Sequence, residues 1–276
     1  MSQQDIKVYL LGQTTLDNRA VVSWLEELGV EVPCLYTDEM VDEIGPPTAL
    51  IALAGKRCYK SFQPGLNPNV TKIRDDYKEY FDNILSSGHG SVLEHASFTF
   101  AFENVTRVFT AEMNRHRAGV AISEGSMRFI RFEKDIPFWM PTSLREDPRD
   151  DKDLSDRKAA SRGVFERVFQ QAKDGYQDLL DIWDMQEGNH NFDYKKKVTS
   201  CIRRIVPIGV STGGVWTMNV RALRHIITMR ASAVAEEEIL LVFSTVAKLM
   251  SNRYPLTFGD FIQTEGGYWI PKFRKV

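Results

Sequence analysis

The stretch Ala96-Ser97-Phe98-Thr99-Phe100-Ala101-Phe102-Glu103 alternates, and at Arg107 the period switches to that of a helix. Alternation puts Phe98, Phe100 and Phe102 on one side of an extended chain, which defines a strand buried on one face. Such a strand needs partner strands at its edges and a layer over its phenylalanines. Ile6–Leu11 reads as another strand, and Gly213-Gly214 lead into Val215-Trp216-Thr217-Met218. Most of the remaining chain has helical spacing. Helices are expected at Asn18–Leu28 with Asp17 as N-cap, from Thr48 to about Tyr59 behind Pro46-Pro47, and at Asp75–Leu85. Further helices are expected from Arg107 to about Arg117, over Lys158–Trp183, over about Tyr194 to Val206 ahead of Pro207, and from Asn219 with few breaks to about Asn252. Phe62–Asn69 reads as a loop and Ser87–Ser91 as a turn. The fold class is α+β with helices outnumbering strands. No repeat or composition shift divides the chain, so residues 1–276 are expected to form one domain. Residues 1–45 are read as an N-terminal extension and the charge-dense 142–157 as an exposed insertion.

Charge narrows the function. Lys and Arg number 35 against 37 Asp and Glu in 276 residues, so no global field attracts nucleic acid or an anionic membrane. An anion site must therefore be local. Three cysteines (Cys34, Cys58 and Cys201) form neither a disulfide framework nor a zinc spacing, which points to a reducing cytoplasm. The N-terminus has no secretory pattern, and no apolar run is long enough to span a bilayer.

The local site is written in RHRAGVAISEGSMR. Arg115-His116-Arg117 is followed after eight residues by Ser126 and then Arg128. Backbone N–H groups, a hydroxyl and arginine forks together suit an anion such as phosphate. If the segment is extended, Glu124, Ser126 and Arg128 share one side. On the preceding helix Glu112, Arg115 and His116 would share a face, either as a solvated ion pair or as the end of a helix pointing into a site. Asn219, Leu223, Ile226 and Arg230 share a face of a later helix, and Arg221 and His225 share another. An Asn and an Arg joined by an apolar stripe suggest a long cation whose stem is buried and whose head meets something planar. Glu236-Glu237-Glu238 offers a structural alternative, as neutralising partners. His89, Glu94 and His95 match no zinc spacing, so no metal is expected. No Gly-x-Gly-x-x-Gly or Walker loop is present.

These segments resemble the flavin-dependent thymidylate synthases (the ThyX family). That family carries Arg-His-Arg, then seven or eight residues and Ser, usually as Glu-x-Ser-x-Arg; here the residues are Arg115-His116-Arg117, Glu124, Ser126 and Arg128. GKRCYKS (55–61), SSGHGSVLEHASFTF (86–100), RRIVP (203–207) and WTMNVRALRHIITMRAS (216–232) match further family segments in order. The resemblance implies a single α+β domain with a central, mostly antiparallel sheet packed by long helices, assembled as a homotetramer with shared active sites. It implies transfer of a one-carbon unit from methylenetetrahydrofolate to C5 of dUMP, with FAD as hydride carrier and NADPH as reductant. It places Ser126, Arg128 and the backbone of Glu124, Gly125 and Met127 on the nucleotide phosphate, with Glu112 and Arg115 beside the substrate. Arg203 joins them, or Arg204 if the register slips by one. Arg230 is placed on the uracil, so Arg230 and Arg115 are the catalytic candidates. His89, Ser91, Glu94, Arg115, His116, Arg117, Glu124, Asn219 and His225 are placed on FAD. The cysteines are expected to be dispensable. The chain departs from the family at Glu112, Ser123, Phe129 and Val234 and in its eight-residue spacer. These departures make UMP methylation the alternative reading, with a non-catalytic nucleotide-binding module as a third.

Overall fold

A computed structural model describes residues 4–31, 38–70, 72–74, 76–186 and 188–274, with only the backbone given for 38–40. The strands are β1 (Lys7–Gln13), β2 (Ser97–Thr106), β3 (Val120–Glu124), β4 (Ser211–Asn219), β5 (Phe261–Gln263) and β6 (Trp269–Pro271). The helices are α1 (Asn18–Glu27), α2 (Asp38–Ile44), α3 (Pro46–Tyr59), α4 (Tyr77–Ser86), α5 (Arg107–Met113), α6 (Lys152–Ile182), α7 (Phe192–Ile202), α8 (Val220–Arg230), α9 (Glu237–Arg253) and α10 (Pro255–Phe258). β1 to β4 form an antiparallel sheet in the order β1-β2-β4-β3, and β5 pairs with β6. The fold is α+β, as the alternating strand and helical remainder required.

Local signals set many of the boundaries. Asp17 caps α1 by accepting from Ala20 N at 3.1 Å, as expected from its position. Asp76 caps α4 by accepting from Glu79 N at 2.6 Å; the expected start, Asp75, lies outside the described residues. Three expectations need correction. α6 starts at Lys152 rather than Lys158, because Asp151 caps it at Leu154 N (2.8 Å) and the charges that follow form a solvated helix face. The helix after Asn219 is two helices, broken between Arg230 and Glu237, where Glu236 accepts from Glu238 N and Ile239 N and starts α9. α5 ends at Met113 with Asn114 as its C-cap, short of Arg115 and His116.

Chain contacts divide the protein into two compact units: unit 1 comprises Met1–Tyr9, Ala101–Arg115 and Ile122–Val215, and unit 2 comprises Leu10–Phe100, His116–Ala121 and Trp216–Val276. In unit 1, Ile136, Phe138, Phe169, Tyr176, Leu180 and Ile202 form a buried cluster, and Phe102 of β2 meets Phe109 edge-on at 5.6 Å. Registers there are marked by Arg107 N to Val210 O and Gly125 N to Gly213 O. In unit 2, Phe98 packs on Tyr254 at 4.6 Å and on Phe258 at 6.1 Å. The buried Arg224 of α8 forms a bidentate pair with Asp260, at 2.6 and 2.9 Å.

Candidate functional site

In unit 1 the chain leaves β3 and bends instead of staying extended. Phe129 N and Ile130 N both donate to Ser126 O, at 2.9 and 3.0 Å, so the condition for Glu124, Ser126 and Arg128 to share one side, an extended segment, is not met. Arg107, at the start of α5, holds this bend. Its guanidinium pairs with Glu124, donates to Gly125 O at 2.9 Å and contacts Met127 Sδ at 3.2 Å. Asn114 Nδ2 donates to the other Glu124 oxygen at 2.9 Å. With both oxygens engaged, Glu124 is an anchor for the turn. Sequence reading passed over Arg107 and Asn114, because their partner lies across the β3 crossover and no local pattern reports it. The short α5 also corrects the expected face: Glu112 is helical and half-buried, whereas Arg115 lies beyond the helix end and is exposed.

Two cavities of unit 1 use residues of this bend. Arg128 lines one of about 380 Å³, together with Lys196, Lys197 and Arg204 and a single carboxylate, Asp193. Four cations against one anion in a half-open cleft favour a multiply charged anion. Arg128 and Lys196 also lie over the Phe129 ring, at 5.9 and 5.5 Å, which keeps two like charges beside one another. Arg204, the alternative to Arg203, is the arginine that lines this cleft; Arg203 is half-buried at the end of α7. The run Lys195-Lys196-Lys197 was the available signal for the cleft, hidden by its helical spacing. Gly125 and Met127 line the second cavity. Ser126 is half-buried, and its hydroxyl accepts from Arg128 N at 3.4 Å.

Unit 2 collects other candidates. Glu94, Gly119, Asn219, Arg221 and His225 line a cavity of about 340 Å³. Asn219 Oδ1 caps α8 at Ala222 N (2.8 Å), which orients its amide, and Arg221 pairs with Glu94 at 2.6 Å. Gly119 has φ +70°, and a Cβ there would collide with the Asn219 amide, so only glycine keeps this wall open. Amide, guanidinium and imidazole groups beside the Glu94 carboxylate give this cradle both donors and acceptors. Arg230, at the end of α8, donates from Nε to His116 Nε2 at 2.9 Å, and the His116 and His225 rings meet edge-on at 6.1 Å. Burial, then the charges of Arg230 and His225, push the His116 pKa down to about 4. The imidazole is therefore neutral near pH 7, with Nε2 as acceptor and the proton on Nδ1. His89 stacks on Tyr59 at 5.9 Å, while Ser91 and Arg117 are exposed. Val234, at the departing position, is 94% exposed.

The family model of the thymidylate synthase complementing proteins matches residues 39–256. A protein of Corynebacterium efficiens named flavin-dependent thymidylate synthase is 31% identical over 77% of this chain and 79% of its own length. One of the same name from Geobacter sulfurreducens is 31% identical over 78% and 82%, and one from Mycobacteroides abscessus 30% over 81% and 83%. In fold, the chain is similar to the crystal structure of a UMP/dUMP methylase, PolB, from Streptomyces cacaoi bound with 5-Br dUMP, with a TM-score of 0.60 and 19% identity over 93% of this chain and 94% of that one. No described helix is long and apolar enough to cross a membrane. With the signature bend, the ordered segments and these matches in agreement, the chain belongs to the thymidylate synthase complementing protein family, the flavin-dependent thymidylate synthases, and is an enzyme of the methyltransferase class.

Proposed function

We propose that the chain methylates C5 of uracil in a pyrimidine nucleoside monophosphate, converting dUMP to dTMP. Methylenetetrahydrofolate is the carbon donor, FAD the hydride carrier and NADPH the reductant. The observation that carries this reading is the Ser126–Arg128 bend of the family signature, braced by Arg107 and presenting Arg128 to a cleft with three more cations. In that cleft Arg128, Arg204, Lys196 and Lys197 would hold the phosphate, with the Ser126 hydroxyl as a further ligand. Among the described residues no histidine or carboxylate hydrogen-bonds to Ser126, which suits a ligand rather than a nucleophile.

In unit 2, Glu94, Asn219, Arg221 and His225 around Gly119 would hold part of the FAD, with His89, Ser91 and Arg117 as further contacts. The bound flavin, when reduced, supplies a hydride, chemistry that side chains do not perform. Arg230 would contact the uracil. Uracil C5 is a weak nucleophile, and a guanidinium at the ring stabilises the negative charge that develops during its attack. Neutral His116 accepts from Arg230 Nε and so orients that guanidinium without competing for the developing charge. The reading also includes a homotetramer, to which α6 offers the exposed apolar residues Leu154, Val164, Phe165 and Val168.

The absorption spectrum of the purified protein is the first test, followed by dTMP formation from dUMP with methylenetetrahydrofolate and NADPH. A yellow, flavin-bearing protein that turns over dUMP is expected. A colourless protein that binds nucleotide without turnover would leave the non-catalytic module standing instead. The second reading, UMP as substrate, is favoured by one specific observation, a carboxylate-lined cavity in unit 1 next to the signature bend.

A further inference from the structure

That cavity holds about 510 Å³ over Gly213 and Gly214, and Glu103, Glu124, Ser211, Thr212 and Met127 are among its walls. Ser211 is 6% exposed, and its hydroxyl has no hydrogen-bond partner among the described residues. A buried hydroxyl left without a partner costs free energy, which a ligand group in the cavity would recover. Gly213 adds an independent sign. A Cβ at this position would collide with the Glu103 carboxylate and stand 3.0 Å from the Phe102 carbonyl. Glycine at 213 therefore leaves room for Glu103 to lie over the neighbouring strand at the cavity wall. The two carboxylates differ in state: Glu124 is occupied by Arg107 and Asn114, whereas Glu103 has no ion pair among the described residues. Walls with two carboxylates, hydroxyls and no cation repel phosphate and accept from ligand hydroxyls, the chemistry that recognises a sugar. A carboxylate on a ribose 2′-hydroxyl is an established recognition device in nucleotide-binding folds. Gly125 and Met127 line this cavity while Arg128 lines the cationic cleft, so one bend serves a sugar-type and a phosphate-type site.

We propose that this cavity receives the pentose of the nucleotide, and that Glu103 accepts a hydrogen bond from the 2′-hydroxyl, so that UMP binds more tightly than dUMP. The inference rests on the nucleotide reading above, takes its second form, UMP, as the better-bound nucleotide with dUMP still accepted, and names the residue that sets this preference. The test is calorimetric titration of the full-length flavin-loaded protein with UMP and with dUMP, for the parent chain, Glu103→Ala and Gly213→Ala. The parent is expected to favour UMP by about tenfold, on the scale of one charge-assisted hydrogen bond. Both substitutions should bring the ratio of the two affinities close to one, Gly213→Ala by displacing Glu103. Should the parent bind both nucleotides equally, or should Glu103→Ala keep the parent's ratio, the pentose assignment is overturned while the nucleotide reading stands. If neither nucleotide binds the parent, the nucleotide reading itself fails and takes this inference with it.

Discussion

At the scale of single residues, the site depends on which polar atoms already have partners. Ser126 Oγ accepts only a long bond from Arg128 N, so it keeps capacity for a phosphate oxygen. Ser126→Ala should raise KM for the nucleotide by about tenfold and leave kcat within a few-fold, as expected for one hydrogen bond to a charged group. A fall in kcat of a thousandfold at saturating nucleotide would instead make Ser126 a nucleophile. His116 gives a pH signature. Its pKa is about 4 in the folded protein against 6.5 ordinarily, because burial disfavours the cation. Above pH 6.5 the imidazole is neutral in both folded and unfolded chains and adds no pH dependence. Between 6.5 and about 4 the unfolded chain takes up the proton first, so stability falls with acid, and below 4 the difference is constant. Urea titrations across this window should show that loss, reduced in His116→Phe, and the His116 ring resonances should titrate near pH 4. Titration near 6.5 would refute the neutral, Arg230-bound imidazole.

At the scale of elements, the functional bend is a property of α5 and β3 together. The early stop of α5 at Met113 frees Asn114 to reach Glu124, and Arg107 at its other end holds the same carboxylate. A helix continuing to Arg117 would have placed Arg115 on the helix face and left Asn114 inside a turn. α7 contributes in a different way. Lys196, Lys197, Ser200 and Cys201 recur at helical spacing on the side that lines the cationic cleft, and Arg204 follows just past the helix end. Cys201 is a free, exposed thiol at that wall. A bulky maleimide at Cys201 should block nucleotide binding, and saturating dUMP should slow its alkylation, read by mass spectrometry of the 201-containing peptide. Cys58, exposed on α3 in unit 2, serves as the internal reference and should react at the same rate with or without nucleotide. Equal rates at Cys201 with and without dUMP would remove the phosphate from this cleft.

At the scale of the whole molecule, stability and assembly draw on residues outside the site. Asp260→Ala would leave the buried Arg224 guanidinium without its bidentate partner, at a cost of about 3 to 5 kcal/mol in urea unfolding. A loss under 1 kcal/mol would mean that water or the carbonyls of Thr257 and Phe273 take over the charge. The proposed tetramer predicts that Val168→Glu on α6 lowers the mass seen by light scattering, whereas an unchanged mass moves the interface elsewhere. Much of the fold was legible in the sequence. The alternation of β2, the aspartate cap of α1 and the stripe of Leu223 and Ile226 in α8 depend on residues within a few positions of each other, and the Arg-His-Arg to Ser126 spacing on residues about a dozen apart, where backbone geometry still ties pattern to structure. The pairings that make the site were not legible. Arg107 with Glu124, Arg230 with His116, and Glu103 over Gly213 join residues far apart in sequence, brought together by strand register and helix length. The amino-acid sequence alone determined the family, the elements and the chemistry available. Only the tertiary structure decided which charge meets which, because an ion pair or an orphaned hydroxyl is set by distance in space, which local propensity does not encode.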